Sequence, residues 1–167
     1  MEKQQVILHT GGNLGNRYHN LKLARKHIRE RIGPIIRESS VYQTQAWGVT
    51  DQPDFLNQAM IVETTLPPWK VLKQILLIEQ RMGRKRTDKW TARLIDIDLL
   101  FYEDEIINTP DLIVPHPFLH LRNFVLTPLV EIAPEKWHPI LNSTVAELHE
   151  RSTDTLEVCL LEKPVPG

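Results

Sequence analysis

The sequence is poor in cysteine, because Cys159 is the only one among its 167 residues. A disulfide therefore cannot form within it, and a single free thiol is typical of proteins from reducing compartments. No apolar run approaches the roughly 20 residues that a membrane-spanning helix needs. The first residues, Met1 to Gln5, lack the pattern of a signal peptide. These absences predict a cytoplasmic protein that does not associate with membranes.

An excess of positive charge is also missing, since 20 Lys and Arg face 21 Asp and Glu, giving a net charge of -1. General nucleic-acid binders need a surplus of cations to neutralise phosphates, so we expect no nucleic-acid partner. A chain of 167 residues that is 41% apolar fits one domain over 1–167 with its own core. Nothing in the pattern demands an oligomer, and we expect a monomer.

The spacing of apolar residues predicts an alternation of strands and helices over the first hundred residues. We predict strands at 4–10, 35–44, 55–65 and 94–102, and helices at 16–32 and 67–82. A short segment, 105–108, is expected to pair back on the preceding strand. Helices at 124–132 and 144–151 and a strand at 156–162 are expected to follow. This order predicts an α+β fold with a ferredoxin-like βαββαβ core, an antiparallel sheet with two helices on one face, plus C-terminal additions.

The segment from Arg93 to Leu100 carries two acidic residues two positions apart, Asp96 and Asp98. In a strand, both carboxylates lie on one face, and we expect the opposite face to be formed by Ile95, Ile97, Leu99 and Phe101. Carboxylate oxygens are ligands that Mg²⁺ prefers, and Mg²⁺ keeps positions open for phosphate oxygens. The alternative interpretation is a solvated polar face on an edge strand.

A basic segment precedes these aspartates, and between residues 81 and 93 six basic residues face one acidic residue, so the local charge is +5. The basic residues are Arg81, Arg84, Lys85, Arg86, Lys89 and Arg93. Arg side chains bind phosphate oxygens in bidentate fashion, and several such donors suit a triphosphate. A solvated run of charge is the alternative. Beside an acidic pair, however, the segment favours phosphoryl transfer.

Two smaller features are compatible with a binding site. Phe55 and Asn57 share one face of a predicted strand and offer a flat ring beside an amide, which suits a planar heterocycle. Taken alone, the pair is better interpreted as a core Phe beside an Asn with satisfied hydrogen bonds. His116 lies between two prolines that restrain its backbone, and it could contact phosphate or transfer a proton. The other histidines, including His9, are interpreted as structural or surface residues, and Gly11-Gly12 as part of a tight turn before the first helix.

These segments together resemble the 6-hydroxymethyl-7,8-dihydropterin pyrophosphokinase family over most of residues 4 to 137. The matching motifs are Thr10-Gly-Gly-Asn-Leu-Gly15, Ser39-Ser-Val-Tyr-Gln-Thr44, Asp51-Gln-Pro-Asp-Phe-Leu-Asn57, Ile78-Glu79 with Gly83-Arg84, Arg93-Leu-Ile-Asp-Ile-Asp98, Val114-Pro-His-Pro117 and Arg122-Asn-Phe124. Several motifs in the right order are more specific than any one of them. The sequence departs from the family's usual pattern at Gly12, Gln45-Ala46 and Thr91-Ala92.

The resemblance implies transfer of pyrophosphate from ATP to the hydroxymethyl group of 6-hydroxymethyl-7,8-dihydropterin, with release of AMP, in folate biosynthesis. It implies two Mg²⁺ ions held by Asp96 and Asp98, and ATP as co-substrate. Catalytic roles are implied for Arg84, Arg86, Arg93, Asp96 and Asp98. Contacts with ATP are implied for Glu79, Lys89, Trp90, His116 and Arg122. Contacts with the pterin are implied for Thr44, Trp47, Phe55, Asn57 and Phe124.

Two alternatives of other kinds stay open. A two-metal phosphohydrolase or nuclease would use the same aspartates and release ADP and phosphate, or cut nucleic acid. A ligand-sensing or RNA-binding ferredoxin-like module would need exposed aromatic residues on the sheet and a basic face. Neither alternative accounts for the settings of Asn57 and His116.

Overall fold

The computed structural model describes residues 2–45, 53–83 and 94–162. The strands are β1 (Gln4–Gly12), β2 (Ile35–Glu38), β3 (Val41–Thr44), β4 (Phe55–Thr64), β5 (Asp96–Tyr102), β6 (Ile107–Asn108), β7 (Ile113–Val114), β8 (Trp137–His138), β9 (Ser143–Thr144) and β10 (Val158–Glu162). The helices are α1 (Arg17–Arg31), α2 (Pro68–Arg81), α3 (Asn123–Ile132) and α4 (Val145–Glu150), with a 3-10 turn at Leu119–Leu121.

The main sheet is antiparallel, with the strand order β10-β3-β4-β1-β5 and with β2 paired to β4. Apolar side chains of α1 and α2 pack on one face in a first core, and those of α3 and α4 pack on the other face in a second core. The predicted α+β class is confirmed, with the C-terminal helices covering the face opposite α1 and α2. Among the described residues, each helix is too short or too polar to cross a lipid bilayer.

The predicted strand at 35–44 is two strands, because the chain is interrupted at Ser39-Ser40. The Ser39 amide donates to the Ala59 carbonyl and the Ser39 hydroxyl accepts from the Ala59 amide. The Ser40 amide and hydroxyl both donate to the carboxylate of Glu131 on α3. Side-chain oxygens thus accept hydrogen bonds from main-chain amides that a continuous strand would pair with its neighbour. The contacts with Glu131 also connect α3 to the sheet.

The prediction that 105–108 pairs back on β5 is wrong. Strand β6 pairs with β7 instead, with Ile107 opposite Val114. The main-chain amide of His116 donates to the carbonyl of Leu100 at 3.0 Å, so the later segment lies beside β5. That edge of the strand is therefore taken by the chain that carries His116.

A β-bulge in β5 changes which residues share a face. Leu8 pairs with Leu99 and Ile7 pairs with Phe101, which leaves Leu100 as the extra residue. Leu100 and Phe101 both pack in the core under α3 and α4, whereas Ile97 and Leu99 pack in the core under α1 and α2. The expectation that Phe101 shares a face with Ile97 is therefore wrong, and by alternation Asp96 and Asp98 lie on the α3 side of the sheet.

Candidate active site

Two rows of residues cross the sheet on the α3 side. In the first row, Tyr42 of β3 is opposite Asn57 of β4, Asn57 is opposite Gly11 of β1, and Gly11 is opposite Asp96 of β5. In the next row, Ala59, His9 and Asp98 are neighbours in the same way. The antiparallel register therefore places the predicted metal ligands and the predicted amide group on one continuous surface.

Gly11 is part of β1, which continues to Gly12, so the tight turn expected over residues 11–15 is wrong for its first two residues. The turn comes later, with a positive φ of 68° at Gly15, just before α1. A Cβ atom on Gly11 would lie 3.1 Å from Oδ1 of Asn57 and 3.2 Å from the Leu56 carbonyl oxygen. Glycine therefore allows the Asn57 amide to lie against the strand.

Asn57 is buried, and its Nδ2 donates to Oγ1 of buried Thr44 at 3.0 Å. Phe55 is opposite Thr44 in the β3–β4 pair and is partly exposed. The structure thus joins three of the predicted pterin-binding residues, Thr44, Phe55 and Asn57, at the same end of β3 and β4. The hydrogen bond with Thr44 fixes the orientation of the Asn57 amide, with Nδ2 toward β3 and Oδ1 toward Gly11.

His116 follows a cis Val114–Pro115 peptide bond and lies beside Asp98. Its Nε2 is 4.0 Å from Oδ1 of Asp98, and its Nδ1 accepts the Phe118 amide at 3.2 Å. Because Nδ1 accepts a hydrogen bond, the ring hydrogen of the neutral imidazole is on Nε2, facing the carboxylate. Burial, together with the positive charge of Arg122, lowers the pKa of His116 to about 4. His116 is therefore a neutral hydrogen-bond donor near pH 7.

Arg122 and Phe124 lie at the start of α3. The Arg122 guanidinium is 5.2 Å from the ring centre of Phe118 and 5.6 Å from that of Phe124. A guanidinium at these distances from two aromatic faces is stabilised by both, and its charge stays available to an anion. The predicted phosphate contact and one of the predicted pterin contacts are thus adjacent in the structure.

His9 belongs to this site, although its sequence context was interpreted as structural or surface. It is buried, its Nε2 donates to the Phe124 carbonyl at 3.1 Å, and its ring meets the Phe124 ring edge-on at 5.8 Å between centres. Burial is the main cause that lowers the pKa of His9 to about 4, with His116 and Arg122 adding to it. The sequence feature that could have indicated this position is a histidine inside an apolar strand.

Glu79 on α2 lies behind the acidic pair. It is buried, and its Oε2 accepts the main-chain amide of Ile97 at 2.8 Å. Ile97 is the residue between Asp96 and Asp98, so the Glu79 carboxylate fixes the strand that carries both. The predicted contact between Glu79 and ATP stays a prediction.

Six of the predicted site residues lie outside the described residues: Trp47, Arg84, Arg86, Lys89, Trp90 and Arg93. Their assigned roles stay predictions. The described part of the site is therefore the sheet surface, the start of α3 and the segment with His116.

The residues present fit Mg²⁺ held jointly with a phosphate substrate. Across residues 2–45, 53–83 and 94–162, no group of three or more His, Cys, Asp or Glu side chains forms a complete metal cage. Asp96 and Asp98 offer carboxylates about 7 Å apart along one strand. The Asp98 side chain is 39% exposed, so other ligands can reach it. Magnesium commonly takes one or two carboxylates and completes its shell with phosphates and water.

Comparisons with known proteins find relatives over most of the chain. The sequence model of "7,8-dihydro-6-hydroxymethylpterin-pyrophosphokinase (HPPK)" matches residues 7–134. The 2-amino-4-hydroxy-6-hydroxymethyldihydropteridine pyrophosphokinase of Aquifex aeolicus is 40% identical over 157 residues, covering 94% of this chain and 98% of that protein. The protein of the same name from Synechocystis is 38% identical, covering 87% of this chain and 75% of its own length.

Larger proteins contain a similar unit. The folate synthesis bifunctional protein of Arabidopsis thaliana is 37% identical over 147 residues, which are 88% of this chain and 26% of that protein. A crystal structure of Plasmodium falciparum HPPK-DHPS has a TM-score of 0.73 at 19% identity. It covers 90% of this chain, which spans only 43% of that longer one, and it supports the fold alone.

The predicted enzyme class, an ATP-dependent pyrophosphokinase of folate synthesis, is confirmed by the family match and by the names of these relatives. The chain belongs to the 7,8-dihydro-6-hydroxymethylpterin-pyrophosphokinase family.

Proposed function

We propose a division of labour among the residues of this chain for its family's reaction. In that reaction pyrophosphate moves from ATP to the hydroxymethyl group of 6-hydroxymethyl-7,8-dihydropterin, and AMP leaves. The observation that carries the proposal is the close approach of His116 to Asp98 on the sheet surface that also holds Asn57.

Asp96 and Asp98 would hold the two Mg²⁺ ions that the resemblance implies. Their position on one face of β5, beside His116, supports this assignment. Bound Mg²⁺ would supply positive charge that neutralises phosphate oxygens and makes a hydroxyl easier to deprotonate.

Phosphate oxygens are contacted by His116 and Arg122. The Nε2–H of neutral His116 is a donor toward the metal side of the site, and the Arg122 charge is next to it. We assign Arg84, Arg86, Lys89 and Arg93 to the same phosphates, with Trp90 closing over the site, on the basis of the sequence motif. These donors surround the transferring group, where charge stabilisation contributes most.

The pterin lies over the row of Asn57 and Gly11. Phe55 and Phe124 contact its faces, and Asn57, Thr44 and the main chain at Trp47 contact its polar edge. The hydrogen bond from Asn57 to Thr44 supports a fixed amide that leaves Oδ1 as an acceptor. A planar ring needs a flat, partly apolar space, and the glycine at position 11 keeps that part of the surface free of a side chain.

His116 and His9 both carry their hydrogen on Nε2, so neither accepts a proton at that atom. We assign the rate to alignment of the two substrates and to charge stabilisation. We further propose that the chain acts as a cytoplasmic monomer with one domain, 1–167, on these two small molecules.

The test is to incubate the protein with ATP, Mg²⁺ and the reduced hydroxymethylpterin and to separate the nucleotides. We expect AMP in equal amount to the pterin diphosphate. Asp96→Asn should lower turnover by about 10²- to 10³-fold, as loss of one charge-stabilising group does. Asp111→Asn, which changes an exposed aspartate between β6 and β7, is the control. Formation of ADP without pterin would instead indicate a phosphohydrolase.

A further inference from the structure

The C-terminal part of the chain lies outside the segment matched by the family's sequence model, which ends at residue 134. In the structure it returns to the main sheet. Strand β10 pairs with β3, with Val158 opposite Thr44. Between α4 and β10 the chain runs through residues 152–157 beside the start of α3. This segment therefore contacts α3 and leads into the strand beside β3, and both α3 and β3 carry predicted pterin contacts.

Asp154 makes the connection to α3. Its Oδ2 accepts the main-chain amide of Asn123 at 2.8 Å, and its own carbonyl accepts Nδ2 of Asn123 at 3.0 Å. Its other carboxylate oxygen accepts the Leu156 amide at 3.0 Å, and its amide donates to the Ser152 hydroxyl at 3.3 Å. The side chain and the main chain of Asp154 are thus both hydrogen-bonded, to residues of its own segment and to the first residue of α3.

The helix needs this contact. Asn123 is the first residue of α3, and the preceding residue, Arg122, makes no capping hydrogen bond with its side chain. The first amides of a helix have no partner within the helix, and a capping side chain usually satisfies one of them. Asp154 supplies that acceptor from 31 residues further along the chain. A carboxylate at a helix N-terminus is also favoured by the helix dipole.

The residues on either side of Asn123 are Arg122 and Phe124. Phe124 is also fixed from the sheet, because its carbonyl accepts Nε2 of His9. Asp154 and His9 therefore each hold a main-chain group at the start of α3, the amide of Asn123 and the carbonyl of Phe124. A cavity of about 480 Å³ is lined by Thr44 and Gln45 together with Asp154, Thr155 and Leu156, so the Asp154 segment also borders the β3 end of the site.

We propose that Asp154 is a positioning residue for the pterin site: its hydrogen bonds to Asn123 set the position of Phe124 relative to Asn57 on the sheet. The proposal rests on the assignment of Phe124 and Asn57 to pterin binding. Asp154 touches neither substrate, and its effect passes through the start of α3.

The experiment compares Asp154→Ala and Asp154→Asn with the unaltered protein, measuring binding of the reduced pterin by calorimetry in the presence of Mg²⁺ and a non-hydrolysable ATP analogue. Asp154→Ala should weaken pterin binding by about five- to tenfold, the size of a lost helix cap. Binding of the ATP analogue alone should be unchanged. Asp154→Asn keeps an oxygen that can accept the Asn123 amide, and it should recover most of the pterin affinity.

Glu157→Ala is the matched control, since it removes a carboxylate from the same cavity wall at an exposed position. It should leave pterin binding unchanged. Unaltered pterin binding in folded Asp154→Ala would overturn the positioning role, and so would an equal loss for both ligands. If the unaltered protein bound no pterin, the proposed function would fail and the positioning role with it.

Discussion

The carboxylate of Glu79 accepts the main-chain amide of Ile97, and it therefore reaches β5 at the residue between Asp96 and Asp98. The contact crosses from helix α2 to the strand through the interior of the protein. It links a buried acidic group on one face of the sheet to the pair of aspartates on the other.

Replacing Glu79 tests whether this contact is structural. Glu79→Ala removes the acceptor of a buried amide and should lower the free energy of unfolding by about 1–3 kcal/mol. Glu79→Gln keeps an acceptor oxygen and should retain most of the stability and turnover. Urea denaturation and the Mg²⁺ dependence of the rate are the measurements, with Glu30→Ala on the exposed side of α1 as control. If Glu79→Gln were stable yet bound ATP poorly, a direct ATP contact would be the better interpretation.

His116 should act as a neutral donor throughout the physiological range. Its pKa of about 4 means that Nε2 keeps its hydrogen while the ring carries no charge above pH 5. His116→Asn should lower kcat/KM for ATP by about 10²-fold, as for other donors to a transferring group. The ratio between the unaltered protein and the variant should be constant from pH 5.5 to 8.5, with exposed His19→Asn as control. A ratio that changed steeply near pH 6.5 would show instead that protonated His116 is the active form.

Phe124 should matter for the pterin rather than for ATP. Removal of a ring that stacks on a heterocycle costs about 1–3 kcal/mol, so Phe124→Ala should raise the Kd for the pterin roughly 5- to 150-fold. Phe118→Ala is the control, because its ring also lies against Arg122 but is half exposed. Calorimetry with each ligand separates the two effects. Equal losses for ATP and pterin in Phe124→Ala would contradict the stacking role.

Acid should destabilise the fold through His9. Its pKa is about 4 in the folded protein, below the ordinary value of 6.5, so between these pH values the unfolded chain binds the proton better. The contribution of His9 to the free energy of unfolding is fully present above pH 6.5. It decreases by about 3 kcal/mol as the pH falls toward 4.

The test of His9 compares unfolding free energies at pH 7 and pH 4. His9→Gln can still donate to the Phe124 carbonyl, yet it does not titrate, so it should lose about 3 kcal/mol less than the unaltered protein over this interval. His19→Gln changes an exposed histidine on α1 and should behave like the unaltered protein. Parallel losses in all three proteins would show that His9 is not the group responsible.

Much of the fold follows from local sequence patterns. The apolar stripes of α1 and α2 and the short apolar runs in β1 and β4 were sufficient to predict those elements and the α+β class. The bulge at Leu100 was not predictable, because all residues from 99 to 102 are apolar or aromatic and alternation carries no signal there. The partner of segment 105–108 was not predictable either, because the main chain beside β5 is that of His116, whose amide donates to Leu100, and no local pattern indicates this contact.

The site was predictable where it follows a motif. Asp96, Asp98, His116, Arg122, Phe124 and the pair of Phe55 and Asn57 came from spacing and from resemblance, and the structure brings the described members together. His9 was interpreted as a structural or surface residue and Asp154 was not singled out, since neither lies in a short motif. Each contacts a main-chain group of α3, and the sequence pattern does not reveal contacts of this kind.

The row from Asn57 through Gly11 to Asp96 defines a fixed distance across the sheet. Asn57 and Asp96 are separated by two strand spacings, about 9.5 Å, and hydrogen bonding of β1 to both neighbours prevents that length from changing. If the edge of the substrate binds at Asn57 as proposed, a rigid heterocycle brings its hydroxyl to the acidic pair only when its length matches this spacing. The proposed site would then select its substrate by length as well as by hydrogen bonding.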